Sequence, residues 1–250
     1  MGAILWTLLL TLLSSHSFAQ EYKRLRVVTS DYPPYQGQGL PDGGIFDNLA
    51  LLILKEAGYN VDLVYRPWKR ALKESEEGDA DAILGMWENP GRRIIYDFSP
   101  PLIENSLVLI CLEKKSFCKN SPILKGKKLG LVLGYAYPDL RLFNAVMEYE
   151  LTENVNIKKL LGERIDFVLV DRGVAYYLLQ QQDPHTKIKV KMLEPAIAIQ
   201  NLHIGFSKNS LMGRAAAIET PKILKKLEQN GKLKPLRMEA QKRGIKIFRF

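Results

Sequence analysis

The sequence predicts an α/β protein of two lobes joined by two extended segments around a ligand cleft. Three observations predict it. Short β-branched or apolar runs alternate with helix-patterned segments, the order that gives mostly parallel sheets covered by helices. The alternation occurs twice, in two units of similar size. The units join near Leu107–Glu113 and again near Leu202–Ser207, and both joins read as extended chain rather than as loops.

Each element has its own signal. Arg24–Ser30 (RLRVVTS) is a short β-branched run and reads as a strand. A Pro- and Gly-rich loop, DYPPYQGQGLPDGG, follows. Ile45–Gly58 carries Phe46, Leu49, Ala50, Ile53 and Ala57 at helical spacing, with Asp47 in the first turn and Gly58 at the end. Val61–Arg66 alternates as a strand, Trp68–Glu77 reads as a helix ending at Gly78, and Asp81–Met86 reads as a buried strand. In the second unit Lys128–Leu133 is a strand, and Asp139–Tyr149 and Asn156–Leu161 are expected to be helices. Ile165–Val170 is a buried strand, Gly173–Gln181 a helix, and Lys187–Met192 and Leu202–Phe206 are strands. A helical tail punctuated by Pro221 and Gly231 closes the chain. The expected lobes are 20–106 with 208–250, and 107–207.

Residues 1–19 are expected to be a signal peptide outside the fold. Ala3–Leu13 is apolar, and Ser17-Phe18-Ala19 presents small residues where a signal peptidase reads. Cleavage is expected between Ala19 and Gln20, giving a periplasmic protein. No Lys or Arg precedes the apolar run; the alternative is an uncleaved anchor, for which the run is short. No cysteine follows the cleavage point, so no lipid anchor is expected there. In an oxidising compartment Cys111 and Cys118, close in sequence, can close a disulfide loop; two free thiols are the alternative. The net charge of +9 is spread along the chain and reads mainly as a solvated surface, with an anionic partner as the alternative. No nucleic-acid partner is expected of an exported protein, and a monomer is expected.

Several chemistries are set aside. His185 and His203 have no neighbours at metal-ligand spacing, and two cysteines cannot form a four-thiolate zinc site. There is no G-x-S-x-G elbow and no P-loop. Gly37-Gln38-Gly39 continues through Pro41 with no helix start at the right place, unlike a dinucleotide fingerprint. No catalytic residue, cofactor or metal is expected.

What remains suits the capture of a small polar molecule at strand ends, where open α/β sheets bind ligands. In Ser30–Tyr35 two prolines stiffen the loop, and Tyr32 and Tyr35 offer flat walls with polar tips; an inward-packed turn is the alternative. Trp68 follows a strand and can stack on a ligand, or be buried between sheet and helix. Gly85 and Trp87 lead to Arg92 and Arg93, and a guanidinium suits a bidentate grip on a carboxylate; two solvated charges are the alternative. Asp171 can face an ammonium across the cleft or cap the helix from Arg172. An arginine and an aspartate on different units make a zwitterion clamp.

The ordered segments DYPPY, GGIFDNLALLILKEAGYNVDLVYRPWKRALKESEEGDADAILG, GRRIIYDFSPP, LKGKKLGLVLGYAY and ERIDFVLVDRGVAYYLL span most of the chain. They resemble the type II periplasmic solute-binding proteins of the amino-acid-binding, ABC-transporter kind. The resemblance implies lobes that close by hinge motion, capture without covalent chemistry, and an inner-membrane permease or sensor as partner. It places Tyr32 and Trp68 as aromatic covers, and Arg92, six residues before Phe98, on a ligand carboxylate, with Arg93 if the loop slips by one. It places the backbone of Gly134, Tyr135 and Ala136 beside that carboxylate, and Asp171 on an ammonium. Trp87 departs from the family pattern, which has a small hydroxyl residue there. Two alternatives stand: a sensor-accessory or interaction protein without a transporter, and a cyclohexadienyl-type dehydratase with Glu88 or Glu104 as general acid.

Overall fold

A computed structural model describes residues 23–118, 124–182 and 189–250. The expected signal peptide, His185 and the first two residues of the strand expected at Lys187–Met192 lie outside the described residues.

The first lobe opens with β1 (Lys23–Thr29), α1 (Ile45–Glu56), β2 (Tyr59–Tyr65), α2 (Trp68–Glu76) and β3 (Ala82–Trp87). The short α3 (Pro90–Ile95) and β4 (Tyr96–Phe98) lead to the long β5 (Ile103–Leu112). The second lobe holds β6 (Lys128–Val132), β7 (Val146–Glu150), α4 (Glu153–Leu161), β8 (Phe167–Asp171), α5 (Arg172–Gln180) and β9 (Val190–Met192). The long β10 (Ala198–Ser207) returns to the first lobe, where α6 (Leu211–Gln229) and α7 (Lys234–Lys242) pack.

One sheet runs through both lobes in the order β2-β1-β3-β10-β5-β8-β6-β7, with β4 on β10 and β9 on β5. β1 is parallel to β2 and β3, and β6 is parallel to β7 and β8. Parallel strands covered on both faces need continuous apolar runs. β3 and β8 supply them: every residue of β8 is buried, and in β3 only Gly85 is not. α1 lays Phe46, Leu49, Ala50, Ile53 and Leu54 on the sheet, all fully buried.

β5 and β10 are the two extended joins. Ile103–Leu107 of β5 pairs with Ala198–Leu202 of β10, and from Leu107 onward β5 pairs with β8 instead. From Leu202 onward β10 pairs with β3. Each long strand therefore changes partner midway, and the two are hydrogen-bonded to each other at the crossing. Just past the end of β5 the chain folds back and Cys118 bonds Cys111, with Cα atoms 5.9 Å apart. No helix among the described residues is long and apolar enough to cross a membrane.

The helix expected over Asp139–Tyr149 is not formed. A single 3-10 turn, Arg141–Phe143, is followed by β7. Pro138 stands before the turn, and the Asp139 carboxylate accepts the Arg141 N–H at 3.0 Å, a local bond that competes with helix continuation. Asn144 ends the turn in the left-handed region at φ 47°. The chain from Val146 to Glu150 then finds its backbone partners along Lys128–Val132 of β6. Long-range pairing wins over a helical pattern that a proline and a polar turn had already weakened. α4 also starts earlier than the expected Asn156, at Glu153, because Thr152 caps it by accepting the Val155 N–H.

Candidate functional site

The loops after β1, β2, β3, β6 and β8 meet at one interlobe cleft. After β1 the chain turns tightly, with the Tyr35 N–H donating to the Tyr32 carbonyl at 3.0 Å. This stacks the two rings with centroids 5.6 Å apart. Gln36 then folds back: its amide donates to Thr29 Oγ1 at 3.0 Å and to the Ser30 carbonyl at 2.9 Å. Its Oε1 is buried without a partner. Gly85 makes room for it. The register of β3 against β10 shifts at Gly85, which has φ +73°, and a Cβ there would lie 2.2 Å from Gln36 Oε1. A glycine at this bulge is therefore required both by backbone angle and by contact.

Aromatic rings from both lobes fill the centre. Trp68 opens α2 and Trp87 closes β3, and both are nearly buried. Tyr135, in the loop after β6, meets Tyr32, Trp68 and Trp87 edge-on, with centroids 6.1, 5.8 and 5.0 Å away. Tyr137 packs on Trp87 at 5.9 Å. Edge-to-face pairs of this kind add to the apolar burial. Indole N–H groups need acceptors once buried: Trp87 Nε1 donates to Asn105 Oδ1 at 2.8 Å, and Trp68 Nε1 to the Gly134 carbonyl at 3.1 Å.

Arg92 is the cation at the narrow centre of the cleft. Asn89 caps α3 by accepting the Arg92 N–H at 2.7 Å, which turns the side chain back over the end of β3. The guanidinium donates to the Trp87 carbonyl at 2.5 Å and to the Gly134 carbonyl of the other lobe at 2.8 Å. It also lies over the Trp68 ring, 5.5 Å from its centroid. Burial opposes its charge, but a guanidinium keeps its proton at ordinary pH. Arg93 turns outward and pairs with Glu88. Around Gly134 the group that faces Arg92 is the carbonyl, while the Tyr135 N–H bonds the Val132 carbonyl at 3.3 Å.

Asp171 ends β8 and caps α5. Its Oδ1 accepts the Tyr35 hydroxyl at 2.7 Å and the Val174 N–H at 3.1 Å, and its Oδ2 accepts the Ser106 N–H at 2.9 Å. Burial raises its pKa to about 6 against these donors. Asp171 therefore serves as a helix cap and also faces the first lobe, through Tyr35.

Sequence reasoning missed Gln36, Asn105, Tyr137 and Glu153. The one visible signal was Asn105, a polar residue in the otherwise apolar run of β5. Glu104 is ion-paired with Lys246 at 2.7 Å, and His203 holds the Ser99 carbonyl through Nδ1 at 2.8 Å. No group of His, Cys, Asp and Glu among the described residues could hold a metal ion.

Between Ser30, Gln36, Gly85, Trp87 and Arg92 the rings leave about 10 Å³, room for little more than a water. Outward, the cleft widens to about 410 Å³ between Asp31, Tyr65, Arg66 and Trp68 of one lobe and Tyr135 and Glu153 of the other.

The family model of the bacterial extracellular solute-binding proteins, family 3, matches residues 25–239. No curated protein matches the sequence. Similar solved structures include an ABC uptake transporter substrate-binding protein of Streptococcus pneumoniae with bound histidine, 21% identical with TM-score 0.73, covering 88% of this chain and 93% of that one. An ancestral arginine-binding protein bound to arginine is 21% identical with TM-score 0.71, over 86% of this chain and 97% of its own. A histidine kinase sensor domain with similarity to periplasmic binding proteins is 18% identical with TM-score 0.72, over 87% and 96%. At these identities the likeness is one of fold.

Proposed function

The chain belongs to the bacterial extracellular solute-binding proteins, family 3, and we propose that it captures a small polar solute bearing a carboxylate, an amino acid or a relative of one. Capture is by hinge closure in the periplasm, as a monomer, with delivery to an inner-membrane transporter. The observation that carries this reading is the Arg92 guanidinium, aimed across the cleft with its hydrogen bonds ending on carbonyl oxygens. A carboxylate is a stronger acceptor than a carbonyl for such a donor, so a solute carboxylate would take the place of Gly134. Tyr32, Trp68, Trp87 and Tyr135 are the walls, and Gly85 and Gly134 let the backbone approach. Asp171, which the family resemblance assigns to an ammonium, would accept one only after the Tyr35 hydroxyl leaves it.

The lobes would move about the crossing of β5 and β10, where both strands change partner. This supports a division close to 107 in the first join and close to 202 in the second. The role is recognition: Glu88 and Glu104, the acids a dehydratase reading needs, are held by Arg93 and Lys246.

The test is a thermal-shift screen of the mature protein against amino acids, small peptides, polyamines, sugars and organic acids, followed by calorimetry on Arg92→Ala. A solute that binds only the folded state raises the melting temperature. Arg92→Ala is expected to keep the fold and to lose at least about tenfold in affinity for a carboxylate solute. Unchanged affinity would overturn the assignment of Arg92.

A further inference from the structure

The walls of the cleft carry one buried acid that is paired with no cation among the described residues and served by a single side-chain hydroxyl. Glu153, the first residue of α4, is 7% exposed and lines both the 410 Å³ part of the cleft and an adjoining cavity of about 360 Å³. Its Oε1 accepts the Tyr135 hydroxyl at 2.6 Å. No Lys or Arg among the described residues forms a salt bridge with it. Of the cations in this part of the cleft, Arg66 pairs with Glu74 at 3.0 Å and Lys69 is exposed to water, while Arg92 is bonded to backbone carbonyls. The other acids of the cleft differ. Asp31 is exposed to water, and Asp171 accepts from Tyr35, Ser106 and Val174.

An uncompensated carboxylate away from water is costly, and a cation brought to it recovers that cost. The surroundings suit a cation, since Tyr65, Trp68 and Tyr135 line the same cavity and aromatic rings attract cations. We propose that Glu153 accepts the cationic group of the captured solute. The solute then carries an ammonium or guanidinium as well as a carboxylate, and it bridges Arg92 and Glu153 past the Tyr135 ring. Burial already pushes the Glu153 carboxyl up to about 7, with Tyr135 opposing, as expected of an acid lacking a cation. This inference rests on the solute-binding reading above.

The experiment is calorimetry with L-lysine, L-arginine, 4-aminobutyrate and 6-aminohexanoate, against butyrate and hexanoate as counterparts without the ammonium. Wild type is compared with Glu153→Gln, Asp171→Asn and Asp31→Asn, each checked by circular dichroism. At least one cationic probe is expected to bind wild type, and Glu153→Gln to weaken it at least about tenfold. Binding of the ammonium-free counterparts should not change. If Glu153→Gln does not fold, Glu153→Asp, which keeps the charge but draws it back by one methylene, is expected to weaken the cationic probes alone. Equal binding by Glu153→Gln, equal loss on both kinds of probe, or loss confined to Asp171→Asn or Asp31→Asn overturns the assignment to Glu153. Binding of acids but of no cationic probe overturns it too, leaving the solute-binding reading intact. No binding of any probe overturns both.

Discussion

Lowering the pH from about 7.5 to about 5 is expected to stabilise this protein, the reverse of the usual acid response. Burial raises the carboxyls of Asp47 and Glu153 to about 7 and that of Asp171 to about 6, from ordinary values near 4. Each is met by hydroxyls or amides rather than by a cation. Asp47, for example, accepts the Tyr65 hydroxyl at 2.6 Å beneath α1. A folded-state pKa above the unfolded one means that the native state binds the extra proton between the two. Stability is therefore lost as pH rises through about 4 to 7, and returns as pH falls through the same window. His203 opposes this: its pKa is lowered by burial, so its contribution is lost as pH falls through its unfolded value. The lowered acids Glu74, Asp139, Glu148, Glu163 and Glu228 act below their ordinary values, outside the window. Each raised group contributes at most about 1.4 kcal/mol per pH unit. The three acids together set an upper bound of about 4 kcal/mol per unit, which the histidine reduces where it titrates, and each kcal/mol moves the melting temperature by about 2–4 °C at this size. Urea midpoints measured across the window, for wild type and Asp47→Asn, provide the assay. The midpoint should climb toward acid, and Asp47→Asn should remove about a third of the carboxylate contribution to the slope. A midpoint that is flat or falls toward acid, or an unaltered slope in Asp47→Asn, would refute the reasoning.

Tyr35→Phe removes a cross-lobe bond of 2.7 Å to Asp171 while leaving that carboxylate its two amide donors. A bond to a charged group is worth about 1.5–3 kcal/mol, so the closed-to-open ratio should fall by about 10–150-fold. Small-angle scattering or fluorescence transfer between labelled lobes would show it, and an unchanged lobe separation would count against Tyr35 as a clasp. Replacing Cys111 and Cys118 together by Ser opens a loop of sequence separation 7 and should cost about 2–3 kcal/mol in equilibrium unfolding; no loss would mean that the loop is held by its packing alone. Trp87→Ser should cost about 3–5 kcal/mol, since the ring is buried against Tyr135 and Tyr137 and its N–H serves Asn105. The same variant should bind a small aromatic acid such as benzoate more tightly than wild type, measured by calorimetry; equal affinity would mean that the rings collapse into the space.

Elements governed by local signals were legible in the sequence. α1 shows its helical apolar stripe and its terminal glycine, and β3 and β8 show the apolar runs of buried parallel strands. β7 was not legible, because its strand character comes from the free edge of β6 and not from its own five residues. The site divided in the same way. Arg92 and Trp87 could be read because they stand at the end of a strand and beside a capped turn. The pairing of Tyr35 with Asp171 could not, since the residues lie 136 positions apart and meet only when the lobes do. Glu153 was hidden for another reason: an acid in the first turn after a threonine reads as an ordinary helix start. Only the three-dimensional arrangement reveals that it faces a cleft and, among the described residues, forms no ion pair there.

The Gly134 carbonyl is a competitor that the protein carries with it. It takes donors from Trp68 and Arg92 at once, and being main chain it survives any substitution of a side chain. On the proposed reading an incoming carboxylate would displace it, so the observed affinity would be the intrinsic one reduced by the fraction of time the carbonyl has let go. A neutral amide or alcohol offers Arg92 an acceptor no better than the one it already holds and gains nothing from the exchange. A carboxylate gains the charge assistance that the carbonyl lacks. A preference for acids over their uncharged analogues would then be set by one backbone oxygen, working as a threshold.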